Sequence, residues 1–152
     1  MNLMLTLVIV GLTMVVSNGQ EIDSILLSSI KENFEKDKSV NIEFPYYSHH
    51  AFDDPTNLMK LLTILQFLKK HKIIKIELRC HSDCRGLEEY NLKFTQKKSE
   101  NIKSWFVHKG INQARIRPIG KGEIMPIEEC ILCNCEEFKH RKNRRIEILK
   151  ID

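Results

Sequence analysis

Three side chains in the middle of the sequence could hold a small charged ligand: Asp83, Asn91 and Lys98. Asp83 lies just past a strand signal, in a turn that feeds a helix. A carboxylate there faces helix N-terminal N–H groups, which favour its charge. Asn91 and Lys98 lie two turns apart on the following helix, nearly one above the other. Tyr90, Phe94, Ile102, Trp105 and Phe106 form a broad arc around them, while Lys93, Lys97, Glu100 and Ser104 take the opposite, solvated side. A lysine inside an aromatic arc must snorkel out, find an acid or line a pocket. The plain reading is a capping Asp83 and a snorkelling Lys98. The functional reading is a pair that grips a ligand carrying both an amine and a carboxylate.

The cysteines are the other reactive set: Cys80, Cys84, Cys130, Cys133 and Cys135. An odd number leaves at least one unpaired in a monomer. Cys80, His81, Asp83 and Cys84, with Cys133, offer metal-binding atoms, but their spacing is not a standard zinc pattern. A nucleophilic Cys80–His81 pair is weaker, because neighbours on a strand point to opposite faces. His49 and His50 sit in a loop signal and read as solvated. No group is arranged for bond breaking, so we expect a binding module, with no cofactor and no enzymatic activity.

The elements that position these residues follow from periodicity. Val40, Ile42 and Phe44 alternate with polar residues as in a strand, which Pro45 ends. Asp54 followed by Pro55 predicts a helix N-cap and first position. Leu58, Leu61, Leu62, Leu65 and Leu68 then form a helical stripe, with Lys69, Lys70 and His71 at its C-terminal end. Ile73–Cys80 is a second strand and His81–Gly86 a turn. Glu88 and Glu89 open a second helix running to about Lys109, capped by Gly110. Arg115–Ile119 is a third strand, closed by Gly120 and Gly122. A cysteine-bearing loop leads to a final strand, Arg144–Ile151. The order strand, helix, strand, helix, strand, loop, strand predicts an α+β sandwich, its helices on one face of a four-stranded sheet.

The length of 152 residues suits one domain with a real core. A net charge of +4, from 24 basic and 20 acidic residues well mixed, is too mild to imply nucleic acid. Met1–Gly19 carries no charged side chain, and Leu3–Val16 is nearly all apolar. That run is short for a bilayer span. Ser17 and Gly19 are the small residues a signal peptidase needs, so we expect a cleaved secretory signal over 1–19, with an uncleaved anchor as the alternative. Residues 20–39 read as an amphipathic lead-in or tether, with Ile22, Ile25, Leu26 and Ile30 at helical spacing. The domain proper is 40–152. In an oxidising compartment the cysteines can pair.

The same residues carry a family resemblance. Leu78-Arg79-Cys80-His81-Ser82-Asp83, Gly86, Tyr90-Asn91, Phe94-Thr95, Lys98-Ser99, Gly110-Ile111 and Arg115-Ile116 resemble, in order and spacing, the OmpA-like peptidoglycan-binding domain. Gly120-Lys121-Gly122-Glu123, Pro126 and Asn143-Arg144-Arg145-Ile146-Glu147-Ile148 continue the likeness to the last strand. The resemblance implies the same β-α-β-α-β-β sandwich and a peptidoglycan ligand. It places Asp83 on the amine of diaminopimelate in the stem peptide. Asn91 stands near that ligand, and one of Arg144 and Arg145 assists. The family's helix arginine, which binds the diaminopimelate carboxylate, is Lys98 here, keeping the charge but losing the two-pronged fork. Cys80 replaces the usual glycine and Ser82 the usual threonine. The resemblance also implies a Cys130–Cys135 disulfide, since Cys135 stands eight residues before Asn143.

The function expected is therefore non-covalent anchoring to the cell wall, by a periplasmic or outer-membrane-associated protein with peptidoglycan and envelope proteins as partners. Two rivals remain: an interaction module that keeps the fold without wall binding, and a cysteine-based metal or redox protein.

Overall fold

The computed structural model describes residues 14–15, 21–22, 24–35, 39–43 and 54–151. The expected signal segment 1–19 lies outside them except for Met14 and Val15, and so do Phe44, His49 and His50. Two short strands, β1 (Met14–Val15) and β2 (Glu21–Ile22), pair antiparallel. Helix α1 (Ser24–Glu35) leads to β3 (Val40–Glu43), α2 (Pro55–Lys70) and β4 (Lys75–His81). Helix α3 (Glu88–His108), β5 (Ile116–Gly122), α4 (Glu137–Asn143) and β6 (Arg145–Ile151) complete the chain. The main sheet has the order β3-β6-β4-β5, with β4 and β5 parallel and the other pairs antiparallel. This is the α+β class expected. No helix among the described residues is long and apolar enough to cross a membrane.

Period-two alternation aims one face of each strand at the helices. Val40 and Ile42, Ile76, Leu78 and Cys80, Ile116, and Ile146 and Ile148 are all buried there. Helix α2 starts where its cap chemistry dictates: Asp54 Oδ1 accepts from the N–H groups of Thr56 (2.8 Å) and Asn57 (3.1 Å). Its other end is held by Arg115, which donates to the carbonyls of Leu68 (3.0 Å), His71 (2.8 Å) and Ile74 (2.8 Å).

The buried face of α2 is shifted from the leucine stripe: it takes in Ile64 and Phe67, while Leu58 and Leu62 are only half-buried. The cause is α1, which the sequence placed in the lead-in. Its Ile30 and Phe34 are buried, and the Phe34 and Phe67 rings meet edge-on at 5.1 Å.

Helix α3 is rotated from the arc its aromatic residues suggested. Its buried side chains are Asn91, Thr95, Lys98, Ser99, Ile102 and Phe106, whereas Tyr90 is 62% exposed. Close approach to β5 explains this. A Cβ on Gly120 would come within 2.3 Å of the Gln96 backbone nitrogen. Only small and polar residues fit that half of the interface, and they bond the strand directly. Thr95 Oγ1 accepts from the Gly122 N–H at 2.9 Å and Gln96 Oε1 from the Gly120 N–H at 2.7 Å. The outer edge of β5 is thereby partly satisfied by the helix.

Helix α4 falls where the sequence predicted only a cysteine-bearing loop. It is seven residues long and charged, with no apolar stripe to announce it.

Candidate ligand site

Strand β4 ends at His81, and the next turn brings Asp83 back under the chain, 4% exposed. Its Oδ1 accepts from the Arg85 backbone N–H at 3.0 Å. Its Oδ2 accepts from Arg85 Nη2 at 2.6 Å and from Arg144 Nη1 at 2.7 Å. Arg144 also donates to Glu137 Oε1 at 2.6 Å, and Arg85 to Glu137 Oε2 at 3.0 Å. Two guanidinium groups and two carboxylates thus form a closed, charge-balanced cluster. Burial alone would raise the Asp83 carboxyl, but the hydrogen bonds from Arg85 and Arg144 outweigh it and hold it below its usual range. The Arg144 bond likewise lowers Glu137.

Asn91 fixes the turn from the first coil of α3. Its Nδ2 donates to the carbonyls of Asp83 (3.4 Å) and Arg85 (3.2 Å) and to Glu123 Oε2 (2.5 Å). Gly86, at φ +106, lets the chain pass over that amide. Lys98 is also buried, with its Nζ 5.7 Å from the centre of the Phe94 ring. Its charge reaches Cys80, whose thiol burial nonetheless pushes up to about 12.

Arg144 and Arg145 diverge. Arg144 joins Asp83, while Arg145 donates to Glu147 Oε1 (Nε at 2.9 Å) and to the carbonyls of Met125 (3.1 Å) and Asn143 (3.3 Å). Asn143 Oδ1 accepts from the N–H groups of Ile127 (2.8 Å) and Glu128 (2.9 Å). Together Arg145 and Asn143 pin the connection between β5 and α4. On the same outer face of the sheet, burial keeps the His81 ring below its ordinary pKa. Its Nε2 lies 3.4 Å from Glu147 Oε2, and contact with His81, then Arg145, brings Glu147 down to about 2.

A cleft of about 650 Å³ opens beside the cluster, bounded by Asn41 and Glu43, by Asp54 and Thr56 at the start of α2, and by Glu137, Arg141 and Arg144. Arg85, Glu137 and His140 are the members of this region that sequence reasoning missed. The arginine two residues after Asp83 was the available signal.

The sulfurs pair as Cys84–Cys133 and Cys130–Cys135, with Cα separations of 5.6 and 5.4 Å. Cys80 is unpaired and buried beneath the helices. The donor set Cys80, His81, Asp83, Cys84 and Cys133 is therefore not assembled, since Cys80 and His81 sit on opposite faces of the sheet.

Residues 53–132 match the OmpA family. The peptidoglycan-associated lipoprotein of Buchnera aphidicola subsp. Baizongia pistaciae is 28% identical over 131 residues, 86% of this chain and 72% of that protein. Outer membrane porin F of Pseudomonas fluorescens is 28% identical over 114 residues, 75% of this chain but 30% of the porin, so the chain spans less than a third of that relative. The crystal structure of the peptidoglycan-associated lipoprotein from Burkholderia pseudomallei superposes with a TM-score of 0.64 at 23% identity, covering 73% of this chain and 89% of that one. The fold and the matched segment, which runs through the Asp83 turn and all of α3, lead to one assignment: the chain belongs to the OmpA family.

Proposed function

We propose that this chain is an exported envelope protein that binds peptidoglycan non-covalently through the diaminopimelate of its stem peptide. The observation that carries the reading is the Asp83 carboxylate, buried yet held ionised by Arg85 and by Arg144, which itself lines an open cleft. An incoming ammonium finds an anion already desolvated and oriented. Asp83 accepts the ligand's amine, and Lys98 and Arg144 share its carboxylate. Asn91 and Arg145 hold the two loops in place. Relatives named peptidoglycan-associated lipoprotein support the ligand class and an envelope location.

Titration with a diaminopimelate-containing stem peptide, beside co-sedimentation with purified sacculi, tests this. Asp83→Ala should abolish binding and Lys98→Ala weaken it. Lys98→Arg should strengthen it several-fold, about 1 kcal/mol for restoring the two-pronged contact. Sacculus binding that survives Asp83→Ala would overturn the assignment.

One observation favours a second reading. The chain's own guanidinium groups already occupy Asp83, and Ile131 (72%) and Leu132 (95%) stand exposed beside it on the cysteine loop. An interaction module of the same fold, without wall binding, would show no affinity for sacculi in any variant.

A further inference from the structure

The cysteine loop and the Asp83 turn bring together a second set of atoms. Cys84 Sγ, Cys130 Sγ, Cys133 Sγ and one nitrogen of His140 all lie within 4.8 Å of one another. We propose that, in its thiol form, the chain binds one Zn²⁺ on Cys84, Cys130, Cys133 and His140.

The spacing suits the metal. Tetrahedral zinc with Zn–S near 2.3 Å sets its ligand atoms roughly 3.5–4 Å apart, so the widest separation must close by about 1 Å, while the Cys84 and Cys133 sulfurs, bonded to each other in the disulfide form, must part on reduction. Cys130 and Cys133 have the C-x₂-C spacing of structural zinc sites. They are joined by a tight turn with Leu132 at φ 50 and Cys133 at φ 58, and their sulfurs lie within 4.8 Å of each other. Cys84, Cys130 and Cys133 are partly exposed, leaving an entry path to a buried imidazole.

The histidine is posed as a ligand. Its Nε2 faces the sulfurs, 3.4 Å from Cys135 and 4.0 Å from Cys130. Its Nδ1 is buried without a hydrogen-bond partner and points towards Asp83 Oδ2, 3.9 Å away. A zinc-bound histidine carries its proton on the other nitrogen and gives it to a carboxylate, the arrangement that fixes its tautomer and orientation. Asp83 is that carboxylate.

The chemistry balances without an oxidant. Three thiols release three protons as Zn²⁺ binds, and the neutral imidazole releases none, so the centre carries one negative charge beside the Arg85 and Arg144 guanidinium groups. Starting from the disulfide form, each bridge first takes two electrons and two protons from an added phosphine or dithiol. Metal and disulfides are thus exclusive states of one loop; Asp83 is shared with the wall-binding reading, but the zinc ligands themselves are not.

The full chain, reduced with a phosphine under anaerobic conditions, is titrated with Co²⁺ and then Zn²⁺. We expect one metal per chain, thiolate-to-cobalt charge-transfer absorption, and tetrahedral d–d bands of a three-sulfur, one-nitrogen set that Zn²⁺ displaces. Cys133→Ser should lower affinity at least a hundredfold. His140→Ala should change the d–d envelope, and Asp83→Asn should weaken binding 10- to 100-fold while keeping it. Cys80→Ser and Cys135→Ser should leave stoichiometry and spectrum as they were. Circular dichroism of each reduced variant separates lost ligands from lost folding, and His140→Ala keeps all the thiols as a second probe. No stoichiometric binding, an unchanged spectrum in folded His140→Ala, or loss of the site in folded Cys135→Ser would each overturn the assignment.

Discussion

Arg144 Nη1 donates to Asp83 Oδ2 at 2.7 Å across 61 positions of sequence, and both residues are less than a tenth exposed. This bond ties the turn after β4 to the residue that caps α4, just before β6. It makes the Asp83 carboxylate part of the tertiary structure instead of an appendage of one loop.

Replacing Arg144 should therefore lower stability. Arg85 still partners Asp83 in Arg144→Ala, which limits the loss to about 1–3 kcal/mol. Arg144→Lys should fall between wild type and alanine, because one ammonium cannot reproduce the fork that spans Asp83 and Glu137. Urea unfolding of the three proteins gives the order.

Gly120 and Gly110 should fail for different reasons. Gly120→Ala puts a methyl group 2.3 Å from the Gln96 backbone nitrogen, forcing α3 off β5 at about 2–3 kcal/mol. Gly110 has open space around it but a φ of +94, so Gly110→Ala should lose only about 1 kcal/mol. Denaturant midpoints measure both. A crystal structure of Gly120→Ala should show the helix displaced.

Acid should destabilise the fold through its depressed carboxylates. Glu147 is lowered from 4.5 to about 2, so its contribution is complete above pH 4.5 and is lost as pH falls towards 2. That contribution is at most about 3 kcal/mol. Asp83, also lowered, adds a loss of the same sign below its usual pKa of 3.8. Glu147→Gln should flatten this part of the stability–pH profile, measured by urea titration at successive pH values.

The two disulfides should differ in weight. Cys84–Cys133 closes 49 residues and Cys130–Cys135 only 5. Chain entropy assigns about 4 kcal/mol to the first and about 2 kcal/mol to the second. Melting of the Cys84→Ser/Cys133→Ser and Cys130→Ser/Cys135→Ser double variants should show the larger drop for the former.

Sequence periodicity revealed most of the frame because the signals there are local. Asp54-Pro55 starts a helix by its own cap chemistry, and alternation in β3, β4 and β6 reports which face is covered. The misses have long-range causes. The face of α3 is set by two glycines on β5, not by its own aromatic residues. Phe67 is buried by α1, which arrives from the lead-in. At the site, Asp83, Asn91 and Lys98 could be singled out because a strand, a turn and one helix carry them. Arg85 could have been, since it stands two residues after Asp83 and bonds it locally. Glu137 and His140 could not, since their importance comes from α4 docking on the turn, and α4 has no apolar stripe to betray it.

The strand order has a consequence for how the molecule is made. Strand β6 is the last element in sequence, yet it lies between β3 and β4. Until residues 145–151 are present, β3 has no partner in the main sheet and β4 leaves one edge unpaired. The core also lacks Ile146 and Ile148, and Asp83 lacks Arg144. A chain released N-terminus first, from a ribosome or through a narrow channel, cannot complete this sheet before residues 145–151 emerge. Until then β4 keeps an open edge and Asp83 waits for Arg144.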